Sequence, residues 1–355
     1  MTALADLLKR RIAATGPITI ADYMSDCLMH PRHGYYSTRD PFGAGGDFTT
    51  APEISQMFGE LVGLALAQCW RDQGAPRPFV LAELGPGRGT CMADMLRAAA
   101  AAVPGFAGAA QVHLVETSPV LREAQRATLR GHAVTWHDNA LALPEAPLFL
   151  VANEFFDALP IRQFARDADG WRERMVALDG DRLNLGLSAA APLAGLDHRL
   201  SDTAPGDIVE TCAPAGPVMA ALSARIAAHG GAALVVDYGG WRSRGDTLQA
   251  LRDHRPEDPL AHPGSADLTA HVDFQALAAA APALAHSALT PQGVFLERLG
   301  ITPRAQALAQ KLSGAALDSH VAAHRRLTHP QEMGSLFKVM SFHPKDAAPP
   351  PGLER

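Results

Sequence analysis

FVLAELGPGRGT, residues 79–90, decides how the rest of the chain is read. Phe79–Leu84 is an apolar run broken only by Glu83 near its end, and it opens into a turn punctuated by Gly85, Gly87 and Gly89. Helix-forming residues occupy 92–102, so the spacing predicts a strand, a tight turn and a helix. That is the first unit of a nucleotide-type α/β fold. The glycines let backbone pass close to a ligand, and the helix N-terminus offers it unpaired N–H groups and positive potential.

Downstream, the same alternation continues. Strands are predicted at 111–116, 134–136 and Leu148–Asn153, with a helix at 119–129. Short links between them imply a doubly wound, mostly parallel sheet. The pattern then changes: residues 171–178 and Arg182–Leu187 flank Asp179-Gly180, a strong hairpin signal, so an antiparallel insertion is expected. A helix at 218–229 and a strand at 232–236 resume the α/β order. Residues 241–300 are rich in Pro, His and Asp, with little periodicity before 274–281, and are expected to form long loops over one end of the sheet. Upstream, helices at 3–14 and 54–70 flank a segment rich in Gly, Asp and aromatics. The resulting division is an N-terminal helical cap or lid at 1–75, the first part of the α/β domain at 76–161, an antiparallel insertion at 162–217, the remainder at 218–343 and a flexible tail at 344–355.

Composition bounds the function. The 355 residues are 47% hydrophobic and 19% charged, a globular balance. A net charge of -6 gives no basic footprint for nucleic acid. Cys27, Cys69, Cys91 and Cys212 are far apart and suggest reduced thiols rather than a zinc site or a disulfide framework. The first residues carry Lys9, Arg10 and Arg11 after a short apolar stretch, the reverse of a secretory signal, and the Ala-rich stretch at 98–114 is too interrupted to span a membrane. A cytoplasmic location without membrane insertion is the expectation from these features, and a homodimer is compatible with them.

Which ligand the turn serves depends on one residue. A dinucleotide fingerprint, G-x-G-x-x-G, would need glycine where Thr90 stands. The match is G-x-G-x-G with Glu83 two residues before it, which resembles motif I of the class I S-adenosylmethionine-dependent methyltransferases. In that reading the loop amides meet S-adenosylmethionine and Glu83 lies near its ammonium. A tight βα connection with no ligand would need the same glycines. An NAD-linked oxidoreductase is the rival enzyme, and Thr90 counts against it.

Open parallel sheets bind ligands outside the carboxyl ends of their strands. Here those ends carry Glu83, Glu116, Asp138 with Asn139, Asn153 with Glu154, and Asp237. Glu116 suits both ribose hydroxyls of an adenosine, or else caps a helix. Asp138 stands where methyltransferases often place an acid or amide near the adenine, though a loop Asp would look the same. Asn153 stands where many N-methyltransferases have Asn or Asp followed by Pro-Pro-Tyr, but the prolines are missing. Glu154 and Asp157 are two carboxylates able to pair with a guanidinium, which prefers forked carboxylate partners; turn formation by Asn153 and Asp157 is the alternative. In the leader, Tyr36, Asp47, Thr49 and Glu53 are expected to face substrate from a closing lid, or to cross a domain edge and cap the next helix. Asp237 is expected on the substrate side as well. His262, Asp267 and His271 lie in a polar loop with irregular spacing, and no metal site is expected.

NEFFDALP at 153–160, LAELGPGRG at 81–89 and the leader at 16–60 together resemble the MidA family, relatives of the mitochondrial complex I assembly methyltransferase. VVDYG at 235–239, DPLAHPGSADLTAHVDF at 258–274 and TPQGVFLERLGI at 290–301 agree, so the likeness covers roughly residues 16–343. The resemblance implies a Rossmann-like class I methyltransferase fold with additions and S-adenosylmethionine as cofactor. It also implies arginine methylation of a protein, with a complex I subunit as the candidate. Asn153 would orient the acceptor while Glu154 and Asp157 hold or deprotonate it. The usual arginine methyltransferases carry a loop with two glutamates, whereas this chain has Glu154 and Asp157. A non-catalytic assembly factor that keeps the cofactor pocket as a structural element is the other reading.

Overall fold

Two N-terminal helices, α1 (Ala3–Thr15) and α2 (Ile20–Met29), begin at Thr2 and Thr19, whose hydroxyls accept the Ala5 and Asp22 N–H groups. In the computed structural model, which describes residues 2–38, 50–168 and 170–355, the leader continues through the short turn Ala51–Ile54 into α3 (Gln56–Asp72). The α/β order then follows: β1 (Phe79–Leu84), α4 (Thr90–Ala102), β2 (Ala110–Val115), α5 (Pro119–Thr128), β3 (Val134–His137) and β4 (Leu148–Asn153). An antiparallel run comes next, β5 (Arg162–Asp167), β6 (Gly170–Asp179), β7 (Arg182–Leu187) and β8 (Ile208–Thr211). The chain returns through α6 (Ala215–His229) to β9 (Gly231–Gly240). After it come the short strands β10 (Gln249–Arg252), β11 (Arg255–Glu257) and β12 (Asp267–Thr269) and the helices α7 (Phe274–Ala279), α8 (Gln292–Arg298), α9 (Ile301–Ala309) and α10 (Gly314–Thr328). The last long strand is β13 (Phe337–His343).

The central sheet runs β3-β2-β1-β4-β9-β13, parallel from β3 to β9 and closed by antiparallel β13. This is the doubly wound α/β fold expected from the alternation. The strand order reverses between β1 and β4, where loops leaving adjacent strands diverge to opposite faces and leave a crevice.

Alternation along each strand divides the core in two. Phe79, Leu81, Phe149, Val151, Leu234 and Val236 face the layer made by α3, α4 and α8. Val80, Ala82, Leu84, Leu150, Ala152 and Val235 face the layer made by α6 and α7. Full burial on both faces explains why these strands are continuous apolar runs. A third cluster joins α1 and α2 to the antiparallel sheet and to β12 through Tyr23, Leu28, Val176 and Leu268.

Several expectations need correcting. Helix α3 is not part of a separable cap: Phe58, Val62, Leu66 and Trp70 pack into the α/β core, and a Cβ on Gly63 would stand 2.6 Å from Met95 Cα of α4. Residues 241–300 are not only loops, because β10, β11 and β12 form a small antiparallel sheet there. Nor does the tail hang free. Leu353 is buried, the Ala288 N–H donates to the Glu354 carbonyl, and Gly352 lies against Phe295. The hairpin at Asp179-Gly180 forms as expected, with Asp179 opposite Arg182 and Gly180 at φ 58°. Together with Ile18–Thr19, the strands β5 to β8 make the inserted antiparallel sheet.

Candidate functional site

A cavity of about 590 Å³ lies outside the carboxyl ends of β1, β2 and β4. The core sheet, the leader and the small sheet β10-β11-β12 all contribute to its lining. Glu53, Glu83, Gly85, Gly87, Glu116, Asp138, Asn139, Asn153, Glu154, Asp157 and Tyr36 line it, so most of the residues singled out by sequence do converge.

The glycine turn forms one wall. Gly85, Gly87 and Gly89 have φ of 61°, 53° and 83°, a left-handed path that favours glycine. Gly85 also faces Phe155, whose Cδ2 would be 3.1 Å from an added Cβ. Gly89 caps α4 and does not line the cavity. Thr90, the residue that breaks the dinucleotide pattern, donates its hydroxyl to Glu53 Oε1 at 2.5 Å and so ties the leader to the turn.

Glu83, at the end of β1, is buried, and its Oε2 has no partner. Burial pushes its carboxyl up to about 8, against the Cys91 thiol and the Met92 N–H, which favour the ionised form. Glu116 is better satisfied: Oε1 accepts the Ser118 N–H at 2.7 Å, and Oε2 accepts Gln125 Nε2 at 3.3 Å. Gln125 also donates to the Gly87 carbonyl and accepts from Trp136 Nε1, which makes it a hub between β2, β3 and the turn. Sequence reasoning missed Gln125; its signal is an amide on the buried face of an otherwise amphipathic helix. Asp138 is 80% exposed and pairs with Arg122 at 2.6 Å. Asn139 accepts the Leu141 N–H and caps the turn Ala140–Ala142.

The opposite wall is the segment after β4. Asn153 Nδ2 donates to Glu154 Oε1 at 3.1 Å, while Asn153 Oδ1 is buried without a partner. Glu154 adopts φ 52°, a left-handed conformation for a non-glycine residue, and such strain costs about 1–3 kcal/mol and concentrates at functional sites. Its Oε1 also receives the Ala51 N–H at 3.4 Å. Burial, reinforced by neighbouring Asp157, pushes the Glu154 carboxyl up to about 8. Asp157 is buried with Oδ1 unpartnered, and burial raises it to about 6 against a hydrogen bond from the Tyr238 hydroxyl. These are carboxylates lacking a cation.

Asp237 is displaced from its expected role. It is fully buried and does not line the cavity; its carboxylate instead accepts the N–H groups of Phe156 at 3.0 Å, Asp157 at 3.3 Å and Tyr238 at 3.1 Å. It holds the turn after β4 from behind, enclosed in the sheet and not facing the cavity. Glu53 faces the cavity, and Tyr36, on the short helix Tyr35–Thr38, donates its hydroxyl to Asp267 Oδ1 at 2.8 Å. Asp47 and Thr49 lie outside the described residues. Tyr238, Asp267 and Thr269 line the cavity without having been expected to do so. Among the described residues no group of three or more His, Cys, Asp or Glu is placed to hold a metal ion, and no helix is long and apolar enough to cross a membrane.

The cavity thus joins a backbone cradle with an isolated acid to a buried set of carboxylates. Comparison with known proteins accords with that geometry. The chain is 36% identical over 379 residues to the protein arginine methyltransferase NDUFAF7, mitochondrial, of Xenopus tropicalis, covering 97% of this chain and 86% of that protein. It is 37% identical over 373 residues to the human protein of the same name, covering 97% and 84%. A crystal structure of a COG1565 superfamily member from Burkholderia thailandensis bound to S-adenosyl-homocysteine superposes with a TM-score of 0.82 at 33% identity, over 96% of this chain and 92% of that one. These relatives' names overturn the cytoplasmic expectation, since the animal proteins are named mitochondrial. The family model for S-adenosyl-L-methionine-dependent methyltransferases, Methyltransf_28, matches residues 61–292. The chain therefore belongs to this family of methyltransferases and uses S-adenosylmethionine as its cofactor.

Proposed function

We propose that the chain methylates an arginine side chain of a protein, with the cofactor on the β1–β2 side of the cavity and the guanidinium on the β4 side. The observation that carries this reading is the set of buried polar groups after β4. Asn153 Oδ1 and Asp157 Oδ1 lack partners, and Glu154 stands between them in a strained backbone conformation. A guanidinium brings a positive charge and five N–H donors in a planar fork, and so meets both deficits. The relatives named as protein arginine methyltransferases support the same acceptor. By resemblance, a subunit of respiratory complex I is the candidate protein.

The residues on the other wall suit the cofactor. The unpartnered, buried Glu83 Oε2 would take its ammonium, the amides of the Gly85–Gly89 turn would take its carboxylate end, and Glu116 would take the ribose hydroxyls. Asp138 and Asn139 lie at the adenine end. S-adenosylmethionine supplies a methyl group already activated on a sulfonium. What remains for the protein is alignment of the acceptor nitrogen with that methyl, and disposal of one proton. Asn153 orients the guanidinium through its carbonyl oxygen. Glu154 and Asp157 hold the other N–H groups, and one of the two receives the proton that the nitrogen releases as it is alkylated. The Asp237 carboxylate keeps this segment in place by holding the Phe156 and Asp157 N–H groups.

The test is methyl transfer to arginine-containing protein substrate, read by mass spectrometry, in Glu154→Gln and Asp157→Asn. Turnover is expected to fall in both, by roughly 10²–10⁴-fold in the variant that loses the proton acceptor, the range for loss of a positioned general base, while S-adenosylhomocysteine affinity stays within a factor of about three. Full turnover in both variants would remove the assignment.

A further inference from the structure

The acceptor side of the cavity has a third acid that neither the β4 segment nor the glycine turn supplies. Strand β12 (Asp267–Thr269) alternates as a strand must: Asp267 and Thr269 line the cavity, while Leu268 between them is 1% exposed in the cluster with Tyr23 and Leu28. The strand is stitched to the acceptor segment, because the Ala270 N–H donates to the Asp157 carbonyl at 3.0 Å. Thr269 and Asp157 share the Tyr238 hydroxyl as a hydrogen-bonding neighbour. Asp267 itself is buried, and the Tyr36 hydroxyl fixes its Oδ1 at 2.8 Å. Two elements far apart in sequence, the leader and the small sheet, therefore meet at one carboxylate facing the same cavity as the unpartnered Asn153 Oδ1 and Asp157 Oδ1.

A guanidinium explains why a third acid is useful. Its five N–H groups point in a plane around three nitrogens, and groups on one side can cover only part of that set. We propose that Asp267, oriented by Tyr36, is a specificity-determining residue of the acceptor site, receiving guanidinium N–H groups that Asn153, Glu154 and Asp157 leave uncovered. This role rests on the arginine reading of the site. It makes the site demand both positive charge and a planar fork; an ammonium supplies the charge without the fork, and an uncharged urea the plane without the charge. Tyr36 acts one step back as a positioning residue.

The test uses the full chain saturated with S-adenosylhomocysteine and three small probes: Nα-acetyl-arginine amide and its citrulline and lysine counterparts. Binding is measured by ligand-observed NMR at millimolar concentration. The unaltered protein is expected to bind the arginine probe at least fivefold better than either counterpart. Asp267→Asn should weaken the arginine probe five- to twentyfold, and Tyr36→Phe two- to fivefold, with S-adenosylhomocysteine affinity unchanged within twofold in both. Asp267→Glu, which restores the charge and guards against a merely unfolded Asn variant, should recover at least half of the lost affinity. Arginine binding by Asp267→Asn equal to that of the unaltered protein overturns the role of Asp267 and leaves the arginine reading standing. Failure of Asp267→Glu to recover any affinity also overturns it. If the unaltered protein shows no preference for the arginine probe, the arginine reading fails and this proposal falls with it.

Discussion

The two walls of the cavity satisfy their polar atoms in opposite ways. On the wall proposed for the cofactor, Glu116 holds two donors, Asp138 is paired with Arg122 near solvent, and Gln125 bonds both the glycine turn and Glu116. Among the described residues of that wall, Glu83 alone keeps a buried oxygen in reserve. On the wall proposed for the acceptor, Glu154 and Asp157 crowd together after β4, and burial raises both carboxyls. One wall is shaped before any ligand arrives. The other holds an electrostatic deficit that a cation would remove, and under the proposed function that deficit favours a charged acceptor over a neutral one.

That contrast can be broken from either wall, and of the effects on ligand binding and stability Glu116→Ala should have the largest. If Glu116 holds the ribose, the variant loses charge-assisted hydrogen bonds worth roughly 1.5–3 kcal/mol, so S-adenosylhomocysteine affinity in titration calorimetry should fall about 10–100-fold. An affinity within twofold of the unaltered protein would place the nucleoside elsewhere. The acceptor wall should show itself next, in stability against pH. Glu154 has a folded-state carboxyl near 8 against an ordinary value of 4.5, so between these values the folded protein keeps a proton that the unfolded chain has released. Stability therefore falls as pH rises through that window and levels off above it. Scanning calorimetry without acceptor should show a midpoint lower by a few degrees at pH 8 than at pH 5.5, and Glu154→Gln should make that slope shallower, leaving the part that the raised carboxyls of Glu83 and Asp157 contribute. A slope unchanged in the variant would assign it to other groups. The smallest effect belongs to the seam between leader and turn: Thr90→Val removes the hydroxyl donated to Glu53, a loss of about 1 kcal/mol. It should lower cofactor affinity two- to fivefold in the same titration, and no change at all would make the seam purely structural.

The strand ends on both walls were legible in the sequence because they follow strands that announce themselves. Phe79–Leu84 and Leu148–Asn153 are apolar on both faces, and the first polar residues at or beyond their ends had to reach the crevice. Asp237 breaks that rule. It ends the apolar part of β9, yet antiparallel β13 and the segment after β4 enclose it, and three backbone N–H groups claim its oxygens. The part of the acceptor wall that the leader and the small sheet supply was less legible. Tyr36 and Asp267 are 231 residues apart, and no local period announces that their side chains meet. Strand β12 is only three residues long, too short for alternation to register. The tail misled for a simpler reason: Pro349, Pro350 and Pro351 suggest an unpaired chain, but Leu353 finds a place in the core beside Phe295.

The glycines of α3 have a consequence for how this protein could be recombined. With Gly59 and Gly63, α3 packs so closely on α4 that an added Cβ would meet Asp94 Cβ at 2.8 Å and Met95 Cα at 2.6 Å. The leader therefore does not end where the first strand of the sheet begins. An exchange of leaders between two relatives that joined them just before Phe79 would bring together two helix surfaces never matched to one another. A junction before Gln56 would keep that helix pair intact and move α1, α2, the segment that carries Tyr36 and the turn with Glu53, leaving Ile18–Thr19 on β6 and Glu53 on Thr90 as the contacts to be rematched. In this fold, the modular border lies one helix earlier than the topology diagram suggests.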